Sequence, residues 1–173
     1  MGRLARLLDF VDFGDICRGC HVNCCRRFYA VLMDDEVEEF KGVAKPLRTK
    51  YGRVYTLGDP NGGVCPYLRD DGLCSIYPKR PFDCRFWPLM IHYDSLNDEF
   101  VILLDMECPA AREGRIPREL LDKMVKTVLD AGIDEKWVKK FTQTPWHKNL
   151  KEIARVKNLK ARETRESQLT TPK

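Results

Sequence analysis

Cys17-Arg18-Gly19-Cys20-His21-Val22-Asn23-Cys24-Cys25 gathers four of the chain's eight cysteines into one short stretch. The other four arrive singly downstream, as Cys65, Cys74, Cys84 and Cys108. Cys17 and Cys20 have the spacing of a metal-ligand knuckle. Two intervening residues let a tight turn aim both thiolates at one ion while backbone N–H groups bond the sulfurs. Cys24 and Cys25 are less simple, because neighbouring side chains in an extended loop point opposite ways. One of them reads as a ligand, and the other serves a second centre or packs nearby. Eight thiols in a chain with no export signal point to a metal or cluster site rather than to disulfides.

Three architectures fit that count. Two tetrahedral zinc ions use all eight thiolates, or seven and a histidine. One [4Fe–4S] cluster uses four and leaves four over, and a two-centre iron–sulfur arrangement also satisfies the arithmetic. Among the three histidines, His21 lies between Cys20 and Cys24 and is a candidate replacement ligand. His92 and His147 read as structural or surface residues.

The remaining composition narrows the function. At 173 residues and 43% apolar, the chain is long enough for one domain with a modest core. The apolar run at the N-terminus is broken by Arg3, Arg6 and Asp9, too early for a signal-peptide core, and no stretch approaches a membrane span. Arg6 stands where a myristoylation motif needs Ser or Thr. The expected compartment is the cytoplasm, where reducing conditions favour metal ligation. The net charge of +4 hides an asymmetry, with 11 Lys and Arg against 3 acidic residues from Lys136 onward. No aromatic residue is interleaved with these charges after Trp146, which argues against nucleic acid and for a solvated surface or a protein partner. No Ser-His-Asp set, phosphate loop or nucleotide fingerprint is present; Gly62-Gly63 reads as a turn.

Working outward from the cysteines, apolar positions 4, 7, 8, 10, 11 and 13 predict a short helix over Leu4–Phe13. Residues 16–26 read as a ligand loop and Phe28–Met33 as a strand. Asp35, with Glu38 as its capping-box partner, predicts a helix to about Ala44, closed by Pro46. Gly52–Leu57 and Val64–Leu68 read as strands joined by the turn at Asp59–Gly63. Pro78, Pro81 and Pro88 limit that region to a single helical turn. Leu89–Tyr93 and Glu99–Leu104 form a hairpin about Asp94–Asp98. Helical periodicity follows over 117–132 and 134–141, with a third helix from Thr144-Pro145 to about Arg162. The fold class is α+β: a small antiparallel sheet with flanking helices around a cysteine-lined metal site, and a C-terminal helical segment. Residues 1–112 form the cysteine-cluster domain, 113–163 a helical extension and 164–173 a disordered tail.

The string Cys74-Ser75-Ile76-Tyr77-Pro78-Lys79-Arg80-Pro81-Phe82-Asp83-Cys84-Arg85-Phe86-Trp87-Pro88, with Cys65-Pro66-Tyr67-Leu68 before it and the leading four cysteines, resembles a cysteine-cluster family of zinc- or iron-chelating domains. The likeness spans roughly residues 15–110. It departs from the family in having three residues before the vicinal pair and in Trp87, where Phe or Tyr is more usual. Its relatives include flagellin lysine methylases, which carry such a cluster within a longer chain.

The resemblance implies Cys17, Cys20, Cys24, Cys25, Cys65, Cys74, Cys84 and Cys108 as metal ligands, with [4Fe–4S] favoured and Zn²⁺ the alternative. Arg80 and Arg85 suit the negative charge of a thiolate-bound centre, to which they would donate N–H bonds. Pairing with Asp83 or Glu107 is their other reading. Tyr77, Phe82, Phe86 and Trp87 form either a water-excluding shell or plain core. The function expected is a metal-binding module with a structural, electron-carrying or accessory role. A lysine methylase-like enzyme is the alternative, although no binding site for S-adenosylmethionine is recognisable. A disulfide-stabilised interaction domain would need an oxidising or hot compartment.

Overall fold

The computed structural model describes residues 1–146 and 149–159. The expected tail at 164–173 and the expected role of His147 lie outside them. The chain is α+β, with its strands divided between two three-stranded antiparallel sheets rather than gathered in one. The first sheet has the order β1 (Ala30–Val31), β3 (Gly52–Leu57), β2 (Lys45–Thr49). The second runs β4 (Leu89–Asp94), β5 (Glu99–Asp105), β6 (Leu150–Val156).

The hairpin of β4 and β5 follows its sequence pattern, pairing Leu89 with Leu104 at one end and Asp94 with Glu99 at the other. The Asp94 carboxylate accepts from the Leu96 N–H at 3.1 Å, and Asp98 takes the left-handed conformation that the turn needs, at φ 53°. Helices α6 (Arg118–Ala131) and α7 (Glu135–Thr142) also form as the periodicity predicts. Leu121, Met124 and Val128 put one face of α6 into the core, and Asp134 caps α7 by accepting from the Lys136 N–H.

Several expectations are corrected. Residues 150–156, read as part of a third helix, form β6 and pair with β5 from Phe100↔Val156 to Asp105↔Leu150. Their Leu, Lys, Glu, Ala and Arg favour a helix locally, but the open edge of β5 offers a row of backbone groups to be paired. Lys45–Thr49 is a strand despite Pro46, because β2 is an edge, where a missing N–H costs no ladder bond. The helix expected after Asp35 contracts to a 3-10 turn at Val37–Phe40. Glu36 turns inward there, accepting from the N–H groups of Met33 at 3.0 Å and Phe82 at 2.7 Å. Val64–Leu68 is a loop whose only ladder contact among the described residues is the bridge between Leu68 and Cys74.

Four short helices complete the cysteine region: α1 (Arg3–Leu7), α2 (Gly14–Cys17), α3 (Cys24–Arg27) and α4 (Phe82–Phe86). A fifth, α5 (Pro109–Arg112), follows Cys108. Helix α4 touches β1 of one sheet and β4 of the other, and α7 likewise touches β3 and β4. The main core draws on both parts of the chain, from Leu4, Phe82 and Phe86 to Trp137, Phe141 and Leu159. Cys84 is therefore mounted on the helix that joins the two sheets.

Candidate metal centre

The first cysteine loop is held by local hydrogen bonds. The Asp12 carboxylate accepts from the Gly14 N–H at 2.7 Å and from the Tyr77 hydroxyl at 2.9 Å. That hydroxyl in turn accepts from the Phe13 N–H, tying the start of α2 to the turn before Cys84. The Cys20 N–H bonds the Cys17 carbonyl at 3.0 Å, closing the knuckle. Gly19 lies between them at φ 72°, a conformation that a β-carbon disfavours. Asn23 donates from Nδ2 to the Gly72 carbonyl, and Cys24 and Cys25 follow on α3.

The later cysteines come from three separate elements. The Cys65 N–H bonds the Cys25 carbonyl at 2.8 Å. From Cys65 the chain makes a narrow hairpin, closed by Arg69 N–H to Leu73 carbonyl and Ser75 N–H to Tyr67 carbonyl, which returns as Cys74. Cys84 lies in α4, where the neighbouring Asp83 accepts from the Val31 N–H at 2.8 Å. Cys108 sits at the N-terminal end of α5.

Backbone N–H groups already face several sulfurs. The Tyr67 N–H favours the Cys65 thiolate, that of Ile76 the Cys74 thiolate, and those of Ala110 and Ala111 the Cys108 thiolate. The i+2 donor recurs at all three. Such donors stabilise a thiolate and are usual around thiolate-bound metals.

All eight thiols line one cavity of about 620 Å³, with Phe28, Tyr29, Ile76, Tyr77 and Trp87 in its apolar wall. Among the described residues, no three His, Cys, Asp or Glu side chains converge closely enough to hold a single ion. The thiols ring a space instead of meeting at a point.

Their electrostatics divide them. Burial pushes the Cys17 thiol up to about 11, helped by Cys108 and Cys20. Burial pushes Cys24 up to about 12, helped by Cys108, Cys17 and Cys20. Cys108 is raised by burial and by Cys20. In the other group, Cys25 and Cys65 act on each other, which raises Cys25 and holds Cys65 below the ordinary thiol value. Cys84 is raised by burial, then by Asp83, Cys65 and Cys74, and Cys74 by burial and Cys65. Every pair within Cys17, Cys20, Cys24 and Cys108 interacts, as does every pair within Cys25, Cys65, Cys74 and Cys84.

The two arginines part company. Arg80 lies over the Tyr77 ring, 3.6 Å from its centroid, and its charge eases Cys17, Cys74 and Cys84. Arg85 is not brought to the thiols. Its donors go to the carbonyls of Arg80 and Pro78, to the Met1 sulfur and to Asp9, and it is only 3% exposed. His21 is exposed and outside the cavity wall, and His92 packs between Phe141 and Trp146, where burial lowers it to about 4. Phe82 and Phe86 stack in the core, while Tyr77 and Trp87 face the cavity. Phe28 and Tyr29 are wall residues that the strand reading of Phe28–Met33 does not reveal. Their place beside the vicinal pair was the available signal.

The donor set fits a thiophilic metal or cluster: eight sulfurs, N–H groups directed at three of them, and an arginine charge nearby. No described helix is long and apolar enough to cross a membrane. The profile of the family described as "CxxCxxCC: Putative zinc- or iron-chelating domain" matches residues 16–109, more than half of the chain. No curated protein and no solved structure matches.

Proposed function

The chain belongs to the CxxCxxCC family of zinc- or iron-chelating domains, and from that premise we propose that it carries an iron–sulfur cluster of the [4Fe–4S] type on its clustered cysteines. The observation that carries this reading is the arrangement of all eight thiols around one cavity of about 620 Å³ without convergence on a point. A zinc ion needs its four sulfurs each about 2.3 Å away. A cubane is larger, and its ligands stand farther apart. The apolar wall and the N–H donors on Cys65, Cys74 and Cys108 suit a centre kept from water. Its role would be structural, electron-carrying or accessory to a partner protein.

The test is the ultraviolet–visible spectrum of anaerobically purified protein, with iron, zinc and acid-labile sulfide assayed on the same sample. Broad visible absorption with iron and sulfide in equal amounts, in multiples of about four per chain, is the expected result. A colourless protein that retains zinc would overturn it in favour of a structural zinc centre.

A further inference from the structure

We propose that the eight cysteines form two separate metal centres, Cys17, Cys20, Cys24 and Cys108 around one, and Cys25, Cys65, Cys74 and Cys84 around the other. This rests on the metal-binding reading above and adds the number of centres and the ligands of each. The vicinal pair decides the matter. Cys24 and Cys25 are consecutive on α3, so their side chains leave the helix about 100° apart, set by 3.6 residues per turn. Two sulfurs so directed do not share one small centre; they place one ligand on each of two.

Backbone contacts then sort the rest. Cys25 is fastened to Cys65 by its carbonyl, which accepts the Cys65 N–H at 2.8 Å. The hairpin bridge between Leu68 and Cys74 brings Cys74 beside Cys65. On the other side, Arg115 donates from Nη1 to the Ile16 carbonyl at 3.3 Å, which joins the segment after α5 to α2. Cys108, at the head of α5, is thereby held near Cys17. Cys84 packs on the small core of Ala30, Leu32, Phe40 and Leu57 together with Tyr67 and Ile76 of that hairpin, whereas Cys108 is buried in the main core with Phe13, just before α2.

The charges are consistent with that division. Four thiolates leave a net negative centre around Zn²⁺ or around a [4Fe–4S] cluster. Two such centres in one cavity repel each other. Arg80 lines the cavity that both quartets share, so its charge lowers that repulsion.

The experiment uses the full chain, reconstituted separately with Zn²⁺ alone and with Fe²⁺ plus sulfide. Two equivalents of zinc, or about eight irons and eight sulfides, are expected per chain. Cys20→Ser/Cys108→Ser and Cys65→Ser/Cys74→Ser should each bind about half as much. One equivalent in the parent chain, or complete loss of metal from a double variant whose circular dichroism is unchanged, overturns the proposal. If a variant does not fold, stepwise chelation of the parent chain, with alkylation sites mapped by mass spectrometry, decides. Cys17, Cys20, Cys24 and Cys108 should become reactive as one group and the other four as a second. Cys24 and Cys25 freed together would overturn the assignment. Two zincs with no cluster formed would retire the iron–sulfur reading and support two centres; one cluster per chain would do the reverse. No metal of either kind would overturn both.

Discussion

Trp137 donates its indole N–H to the Leu32 carbonyl at 2.8 Å, across 105 positions of sequence. The bond fastens α7 to the segment just after β1, which itself follows the vicinal cysteines. Trp137 is 2% exposed, stacks on Phe141 at 4.8 Å and meets Phe82 edge-on. Trp137→Phe keeps most of that packing but strands the carbonyl, and should lower unfolding free energy by about 1–3 kcal/mol. Trp137→Ala should cost about 3–5 kcal/mol. Urea unfolding measures both. Equal stability of Trp137→Phe and the parent would show that the bond contributes nothing.

Arg80 and Arg85 should separate in their effects. Arg85 holds the loop before Cys84 through two carbonyls and Asp9, the ion pair measuring 2.7 Å. Arg85→Met removes those charge-assisted bonds and should lower stability by about 1.5–3 kcal/mol, although the exposed Asp9 end is partly screened by solvent. Arg80→Gln should cost little stability but alter the centre, lowering the reduction potential of a bound cluster by removing a nearby positive charge. Redox titration and thermal melts on both variants check this. A shifted potential in Arg85→Met alone would invert the two roles.

The hairpin at 89–105 and helices α6 and α7 were legible because local signals agree with their tertiary setting. Asp94–Asp98 supplies turn chemistry between two apolar runs, and Leu121, Met124 and Val128 repeat at helical spacing. Leu150–Val156 has a helical composition, and the demand that overrides it, the free edge of β5, is non-local. Pro46 looked like a stop because edge position is not written in sequence. The cysteines were easy to single out. Their neighbours were not: Arg85 beside Cys84 turns away to Asp9, whereas Arg80, four residues before Cys84, reaches the thiols. Chain proximity does not fix side-chain direction.

Glu36 should make stability fall as pH rises. Its carboxylate is fully buried, and burial outweighs two backbone donors to raise it from 4.5 to about 7. A carboxyl whose folded value lies above its unfolded one stabilises in full below the unfolded value and loses that contribution as pH passes through the folded one. The metal-free chain should therefore lose roughly 3 kcal/mol between about pH 4.5 and pH 8 from this group. Glu36→Gln should flatten the dependence, at the expense of one backbone N–H left facing the amide. Urea midpoints across that range are the measurement, and an unchanged slope in Glu36→Gln would assign the effect elsewhere.

Cys65 should be the first of the buried-pair thiols to react in the metal-free chain. The neighbouring Cys25 thiol and the Tyr67 N–H favour its thiolate, while Cys25 is raised by Cys65 and by burial. Cys17 is more exposed, yet burial of its sulfur and the neighbouring thiols push it up to about 11. Since the thiolate is the nucleophile, limited iodoacetamide near neutral pH should modify Cys65 ahead of Cys17 despite the difference in exposure. Cys25→Ala should slow Cys65 by removing that influence. Peptide mapping of the first-modified site reads both outcomes. Modification of Cys17 ahead of Cys65 would mean that accessibility, not the influence of Cys25, governs reactivity in this cavity.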